Sequence, residues 1–520
     1  MRPALVRLAL LAAALGCAAY AIAAGAQHDS GGARSASAAV PAAVAVDGKP
    51  PVVLLVLDEF PSDALLGSDG RIDPVRYPTF ARLARTGTWF PNAHTVYDAT
   101  TKAIPAILDG KVPRAGVPGT FEGHRKTVFD LFGPRGYRIV SSEEATAVCP
   151  PRWCPGAEPR GPKILPMLNA GRRERFERFA RSIRPGPGFY FKHALLPHGP
   201  HLYLPSGKEA RRGADPLPGS ESVPGFHDPS VTNYNQQRTL LQIGFVDRQI
   251  GRLLEGMKRK GMLDDALIVI TADHGISTDV GVDNRRVVSP ANIDEVAPVP
   301  LFIKAPGQRR GPTVRSYVRT TDIVPTIADI LGVRMPYRAT GRSAFSSAVR
   351  HRRSMTMIRR DFSGRIKVPA RRMARRRRAL VETRLARFGS GDWASLYTGV
   401  GPNRELLGRA VAELAPERVG GLRAAVAGAA AMRSVRPRSP VLPTQVAGRV
   451  SGGARNSERD IAVAVNGRIE AVSRTFHLRG SSQESFAVNV PEASMRPGRN
   501  HVQVFEVADD GRRLRLMGGA

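Results

Sequence analysis

An α/β fold, with a mostly parallel sheet covered by helices on both faces and a small β-sandwich-like module behind it, is the class that this 520-residue sequence predicts. Three observations carry the prediction. From Pro51 to Gly332, short apolar β-branched runs alternate with amphipathic helical stretches, the pattern of strands buried on both faces. Two of those runs end in acidic groups, Asp58-Glu59 and Asp273-His274-Gly275, at the carboxyl ends where open α/β sheets bind ligands. From Pro440 onward the period shortens to alternating strands around the turn Asn466-Gly467, the strongest local hairpin signal.

Taken in order, residues 1–26 read as a signal peptide or an uncleaved signal anchor. Arg2 and Arg7 precede the apolar stretch Leu8 to Ala24, and Ala21-Ile22-Ala23 resembles a cleavage site. Residues 27–49 form an Ala/Ser/Gly-rich flexible leader. The α/β domain is expected over 50–345. Its strands are Val52–Leu57, Arg138–Val140, Gly188–Leu195, Leu267–Ile270 and Val299–Lys304. Its helices are Pro78–Thr86, Thr100–Leu108, a short helix and turn over Phe129–Tyr137, and Asp322–Leu331 closed by Gly332. The longest is Tyr234–Lys260, with Leu241, Phe245, Ile250, Leu253 and Leu254 facing inward. Residues 346–438 read as a basic helical linker region, and 439–520 as the β-sandwich-like module.

Composition bounds the function. The net charge of +32, from 77 Lys and Arg against 45 Asp and Glu, is mostly arginine and widely spread, with one dense block over residues 350–378. That block reads either as a solvated helix or as a contact with anionic membrane lipid or envelope polymer. Nucleic acid is not expected, because the chain carries an export signal and the basic run has no interleaved aromatics. An exported chain is extracytoplasmic, secreted or tethered by a single N-terminal anchor. In that oxidising setting Cys149 and Cys154 are expected to form a small local disulfide.

Asp273-His274 offers a hard oxygen and an imidazole nitrogen to one divalent cation, although the tripeptide also makes an ordinary strand-ending turn. Asp58 points at the same crevice, with an N-cap as its plain alternative. Thr100 opens a helix, where backbone N–H groups and the dipole favour an alkoxide and a bound phosphate; here too the alternative is a simple cap. His198, in Leu195-Leu196-Pro197-His198-Gly199-Pro200, stands after a strand, with His193 and His201 as supporting neighbours.

In their order along the chain these residues resemble the alkaline phosphatase superfamily, specifically its sulfatase-like branch. Asp58 stands where the family has its first metal carboxylate. The segment from Pro78 to Ala93 is similar to the sulfatase helix that introduces the nucleophile loop. Val246 to Leu254 and Gly261 to Gly275 are similar to the long helix, strand and metal motif, and Val299–Lys304 and Thr321–Ile327 follow in the family's order. Sulfatases place a Cys or Ser ten positions before the Gly of a Leu-Thr-Gly motif, and counting back from Leu108-Asp109-Gly110 lands on Thr100. Phosphoethanolamine transferases place a nucleophilic Thr five positions before a Pro, and Pro105 also points to Thr100 rather than Thr101. The resemblance implies that Asp58, Asp273 and His274 hold one divalent cation (Zn, Mn, Ca or Mg), that Thr100 is the nucleophile, and that His198 serves the substrate side.

Two departures qualify the match. Formylglycine is made from Cys or Ser, so Thr100 points to phosphoesters rather than sulfate esters. No histidine occurs between Ile276 and Pro298, where many members complete the metal site; Asp279, Asp283, Asp294 or Glu59 are the substitutes at hand. The expected activity is therefore that of a metal-dependent ester hydrolase or phosphotransferase acting on a phosphorylated or sulfated envelope substrate. A catalytically weak binding protein of the same fold and a sulfuric ester hydrolase are the alternatives.

Overall fold

Seven consecutive buried residues, Val52–Asp58, form the central strand β1, and nothing short of cover on both faces keeps such a run from water. The computed structural model describes residues 48–155, 164–211, 217, 227–282, 284–436, 438–454, 456–509, 511 and 513–519. The segment 1–26, most of the leader 27–49, and Asp283 lie outside the described residues. Among the described residues no helix is long and apolar enough to cross a membrane.

The first sheet contains β1, β2 (Thr88–Trp89), β3 (Arg138–Ser142), β4 (Gly188–Pro197), β5 (Leu267–Ala272) and β6 (Leu301–Lys304), in the order β2-β6-β5-β1-β4-β3. β3, β4, β1 and β5 run parallel, and β6 and β2 add an antiparallel edge. The mostly parallel sheet expected from the sequence is present. β4 and β5 are buried along their whole lengths, as β1 is.

Five helices matter for the site and its surroundings: α1 (Pro78–Thr86), α2 (Thr100–Asp109), α3 (Pro229–Arg259), α4 (Ile323–Ile330) and α5 (Ala370–Phe388). α3 starts five residues before the expected Tyr234 because Asp228 caps it, accepting from the N–H groups of Ser230 (2.7 Å) and Val231 (3.0 Å), with Pro229 at the first position. Its expected inner residues are all buried. It also serves its neighbour, since Asp247 accepts from Thr79 and Phe80 N–H at the start of α1.

The stretch 346–438 differs from the helical linker expected. It contains a two-stranded hairpin, β7 (Ser354–Ile358) and β8 (Arg365–Pro369), one long helix, α5, and the strand β9 (Glu417–Val426). The hairpin buries Met355, Met357, Ile366 and Val368 with Met373 of α5. The short strands, with Ser354, Thr356, Arg365 and Lys367 between the apolar positions, hid that alternation inside the arginine-rich block.

β9 joins β10 (Gln445–Ser451), β11 (Asp460–Val465), β12 (Arg468–Arg474), β13 (Phe476–His477), β14 (Glu484–Asn489), β15 (Val502–Ala508) and β16 (Arg513–Gly518) in one eight-stranded sheet. The sheet curls so that β12 approaches β14 and encloses Val446, Val463, Ala471, Phe486 and Val504. Asn466 and Gly467 both have positive φ (54 and 82), as a two-residue hairpin turn of this hand requires. The Cys149–Cys154 disulfide is formed.

Candidate active site

Strand register brings the acids together. Leu57 of β1 lies opposite Ala272 of β5, so the next residues, Asp58 and Asp273, leave the sheet side by side. Two backbone bonds hold the exits in step: Asp273 N–H donates to Leu57 C=O (2.9 Å) and Phe60 N–H to His274 C=O (2.9 Å). Gly275 then passes so close to the Glu295 carbonyl that a Cβ would stand 2.3 Å from its oxygen, which explains the glycine of the motif.

Asp58, Asp273 and His274 each offer a ligand atom within 4.8 Å of the other two, and all three are buried. Among the described residues this is the one such group of three or more potential ligands. The His274 Nδ1–H donates to Gly275 C=O (3.0 Å), which leaves the Nε2 lone pair facing Asp273 Oδ2 at 3.4 Å. Asp58 Oδ1 and Asp273 Oδ2 have no hydrogen-bond partner. Burial, reinforced by the neighbouring Asp273 charge, pushes the Asp58 carboxyl well above its ordinary range. Burial likewise raises Asp273 to about 7, against the lowering effect of hydrogen bonds from the Thr100 hydroxyl and the His274 and Glu59 N–H groups. A nitrogen lone pair and two orphaned carboxylate oxygens converging in a buried pocket suit a divalent cation.

Thr100 is the first residue of α2, not its cap, which is Ala99. Its Oγ1 lies 3.4 Å from His274 Nε2, beside the cluster and at the positive end of the helix. His198 follows β4, and its Nδ1–H donates to Gly199 C=O (2.5 Å). Burial depresses its pKa to about 4, so the ring is neutral near pH 7, with Nε2 turned toward Glu59 at 3.4 Å. His193, wholly buried on β4, has no hydrogen-bond partner for either ring nitrogen, and its Nε2 lies 3.7 Å from Asp58 Oδ2. His201 instead meets the Thr239 hydroxyl of α3 (3.2 Å).

Among the described residues, the substitutes for the missing histidine, Glu59, Asp279 and Asp294, do not join the cluster. Glu59 turns from it to an ion pair with Arg285, whose Nη2 lies 3.1 Å away and whose Nε reaches both carboxylate oxygens at 3.2 Å; Arg286 approaches at 3.5 Å. Burial alone would raise the Glu59 pKa, but Arg285, His198 and Arg286 outweigh it and hold it far below the usual range. Asp294 pairs with Arg376, and Asp279 lines a separate cavity.

Four positioning groups were not singled out from the sequence. Arg172, buried, donates to the carbonyls of Leu195 (3.1 Å), His198 (2.5 Å) and Pro200. Gln242 of α3 donates to Pro197 and His198 C=O (2.8 and 2.9 Å). Together they fix the His198 loop. Arg285 and Arg286 are the other two; a doubled arginine inside the histidine-free stretch was the available signal.

An α/β protein that gathers a candidate cation site and a helix-opening threonine at the ends of parallel strands is the class that fold and site define. Residues 162–333, about a third of the chain, match the Sulfatase family model. That segment contains His198, Asp273 and His274, while Asp58 and Thr100 precede it. Among curated proteins the chain is similar to arylsulfatase K of Bos taurus, with 28% identity over 102 residues, 20% of this chain and 18% of that protein. It is also similar to the 2,3-bisphosphoglycerate-independent phosphoglycerate mutase of Trichormus variabilis, with 34% identity over 134 residues, 24% of each chain. It thus spans only 18–24% of the length of these relatives. Among solved structures, a 2-O GAG sulfatase aligns with a TM-score of 0.45 and 16% identity over 65% of this chain and 92% of the other. A phosphonate monoester hydrolase from Silicibacter pomeroyi aligns with a TM-score of 0.41 and 20% identity over 59% and 79%.

Proposed function

We propose that the chain is an extracytoplasmic, metal-dependent hydrolase or transferase of phosphoesters in cell-envelope components, with Thr100 as nucleophile. The observation that carries this reading is the Thr100 hydroxyl at the start of α2, 3.4 Å from the imidazole of the Asp58, Asp273 and His274 cluster. A divalent cation bound by those three residues would supply positive charge beside the hydroxyl and a substrate oxygen. Thr100 Oγ1 attacks phosphorus, the new Oγ1–P bond replaces the P–O bond to the leaving alkoxide, the proton lost from the Thr100 hydroxyl balances the one that makes this alkoxide an alcohol, and phosphothreonine results. Water or an acceptor alcohol then takes the phosphoryl group. The N–H groups at the start of α2 favour the anionic phosphoryl group, and neutral His198, fixed by Arg172 and Gln242, stands at the substrate side as a hydrogen-bonding group.

Thr100→Ala tests this on aryl phosphate, phosphodiester and sulfate esters with Zn²⁺, Mn²⁺, Ca²⁺ and Mg²⁺ supplied in turn. Turnover is expected to fall by about three orders of magnitude or more, with the fold intact. Unchanged turnover on every substrate would remove Thr100 from the reaction. Sulfate as the preferred ester would favour a sulfuric ester hydrolase, for which Thr100 supplies no formylglycine precursor. A catalytically weak binding protein of the same fold is the second reading, favoured by the absence, among the described residues, of a fourth side chain in the cluster. Purified protein without a bound divalent cation would select it.

A further inference from the structure

We infer that the exposed basic face of β8 and α5 docks the protein on the surface of a bilayer rich in anionic phospholipid. The inference adds to the envelope reading above the partner that presents the ester, and it rests on that reading for the ester's identity. The docking itself requires no catalysis.

The arginine block divides into two sets in the structure. One set is spent on the protein: Arg352 pairs with Asp322 (2.7 Å), Arg360 with Asp98 (3.2 Å), Arg376 with Asp294, and Arg377 donates to Pro91 C=O. The other set faces solvent. Arg365 and Lys367 stand on the open side of β8, alternating with buried Ile366 and Val368. Arg371, Arg372, Arg375 and Arg378 are exposed on the first half of α5, with 371, 375 and 378 on one stripe of the helix. Among the described residues none of these six makes an ion pair or a side-chain hydrogen bond. From Ser354 to Phe388 the acids are only Asp361 and Glu382.

Six uncompensated cations on one strand-and-helix unit are costly to keep apart from anions and complementary to a dense anionic surface. Exposed large apolar side chains are limited, among the described residues, to Val75 and Val280, so nothing on this face would insert into lipid. Adsorption would be electrostatic and would weaken with salt. The unit is also joined to the nucleophile loop. Ile358 N–H donates to Val96 C=O (3.0 Å), Arg360 Nη2 to Asp98 C=O (2.7 Å), and Phe362 stacks on Tyr97 at 5.0 Å. Thr100 lies two residues beyond Asp98, so the hairpin is bonded to the loop that leads into the candidate nucleophile.

Vesicle flotation of the full chain tests the inference, using phosphatidylcholine with and without phosphatidylglycerol. An apolar N-terminal segment would bind both alike, so the readout is the difference between them. Wild type is expected to favour the anionic vesicles roughly tenfold or more at low salt and to lose that preference at high salt. Replacing the six residues by Gln should abolish the preference while circular dichroism and turnover of a soluble aryl ester stay unchanged. Thr100→Ala should float as wild type does, so failure of the catalytic reading is seen separately. A six-residue variant that keeps the preference would overturn the inference. So would a wild type indifferent to lipid charge, or one that binds soluble polyphosphate through these residues but not the anionic vesicles.

Discussion

Glu59 adopts a left-handed backbone conformation (φ 57), which costs a residue with a Cβ about 1 kcal/mol or more. Its N–H thereby reaches Asp273 Oδ1 at 3.2 Å while its carboxylate meets Arg285, so the strain orients one acid of the candidate cation site. His193 does the equivalent for Asp58, being the polar side chain of β4 that faces Asp58 Oδ2. His193→Ala is expected to lower divalent-cation affinity about 10- to 100-fold, the usual loss when the group behind a ligand is removed. His193→Gln should recover part of it. Calorimetric titration of the cation checks this without recourse to turnover, and unchanged affinity would make His193 a packing residue. Asp58, Thr100, His198, Asp273 and His274 were legible because each stands at the end of a strand or start of a helix, positions that the apolar pattern locates. Arg172 and Gln242 were not, because their partners are backbone carbonyls made adjacent only by the tertiary fold.

At the scale of elements, α5 lies over a cavity of about 60 Å³ whose lining includes Asp63, Asp279, Glu295, Arg384 and Arg387. Burial, followed by the charge of Asp279, pushes Glu295 up to about 8, against the Ser277 hydroxyl that donates to it. A carboxyl raised in the folded state contributes stability below its unfolded value and loses it as pH rises through the folded value. The chain should therefore lose stability between about pH 4.5 and 8, at up to about 1.4 kcal/mol per pH unit from this group. Glu295→Gln, which keeps the shape, should flatten that decline; urea unfolding at pH 5 and pH 8 checks it, and parallel declines would dismiss Glu295 as the source. β1, β4, β5 and α1 to α4 were legible within a few residues because their apolar periods are long and regular. The hairpin β7–β8 was not, since its strands are only five residues long and its apolar positions alternate with Ser354, Thr356, Arg365 and Lys367 inside the arginine-rich block. β9 was not either: Gly420-Gly421 interrupts its alternation.

Across the whole molecule, the β module is not an appendage. Asn489 Nδ2 donates to Tyr234 C=O (3.1 Å) and Gln237 Oε1 (3.0 Å) of α3, and Gln445 Nε2 to His201 C=O (2.8 Å). Phe476, Ala447 and Ala487 share an apolar cluster with Val231 and Tyr234 of α3. Residues 43–520 form a single contact unit. Scanning calorimetry should accordingly show one cooperative transition, and Phe476→Ala should lower all of it, by about 3 kcal/mol. Two separable transitions, with only one responding, would show the module to be independent. The sequence suggested a separate module because alternating strands identify a β sheet but carry no sign of which helix will cover it.

β1 also imposes a timetable on synthesis. It is made first among the strands, yet its two neighbours are β4 and β5, the second of which begins about 210 residues later. At about 5–20 residues per second the ribosome takes some 10–40 s to supply that partner. Throughout that interval at least one edge of the apolar strand stays open, even after β4 has been made, the kind of edge on which chains aggregate. Asp58 and Asp273 can meet only when the wait is over, so the candidate cation site cannot form until about half of the 520-residue chain has been made.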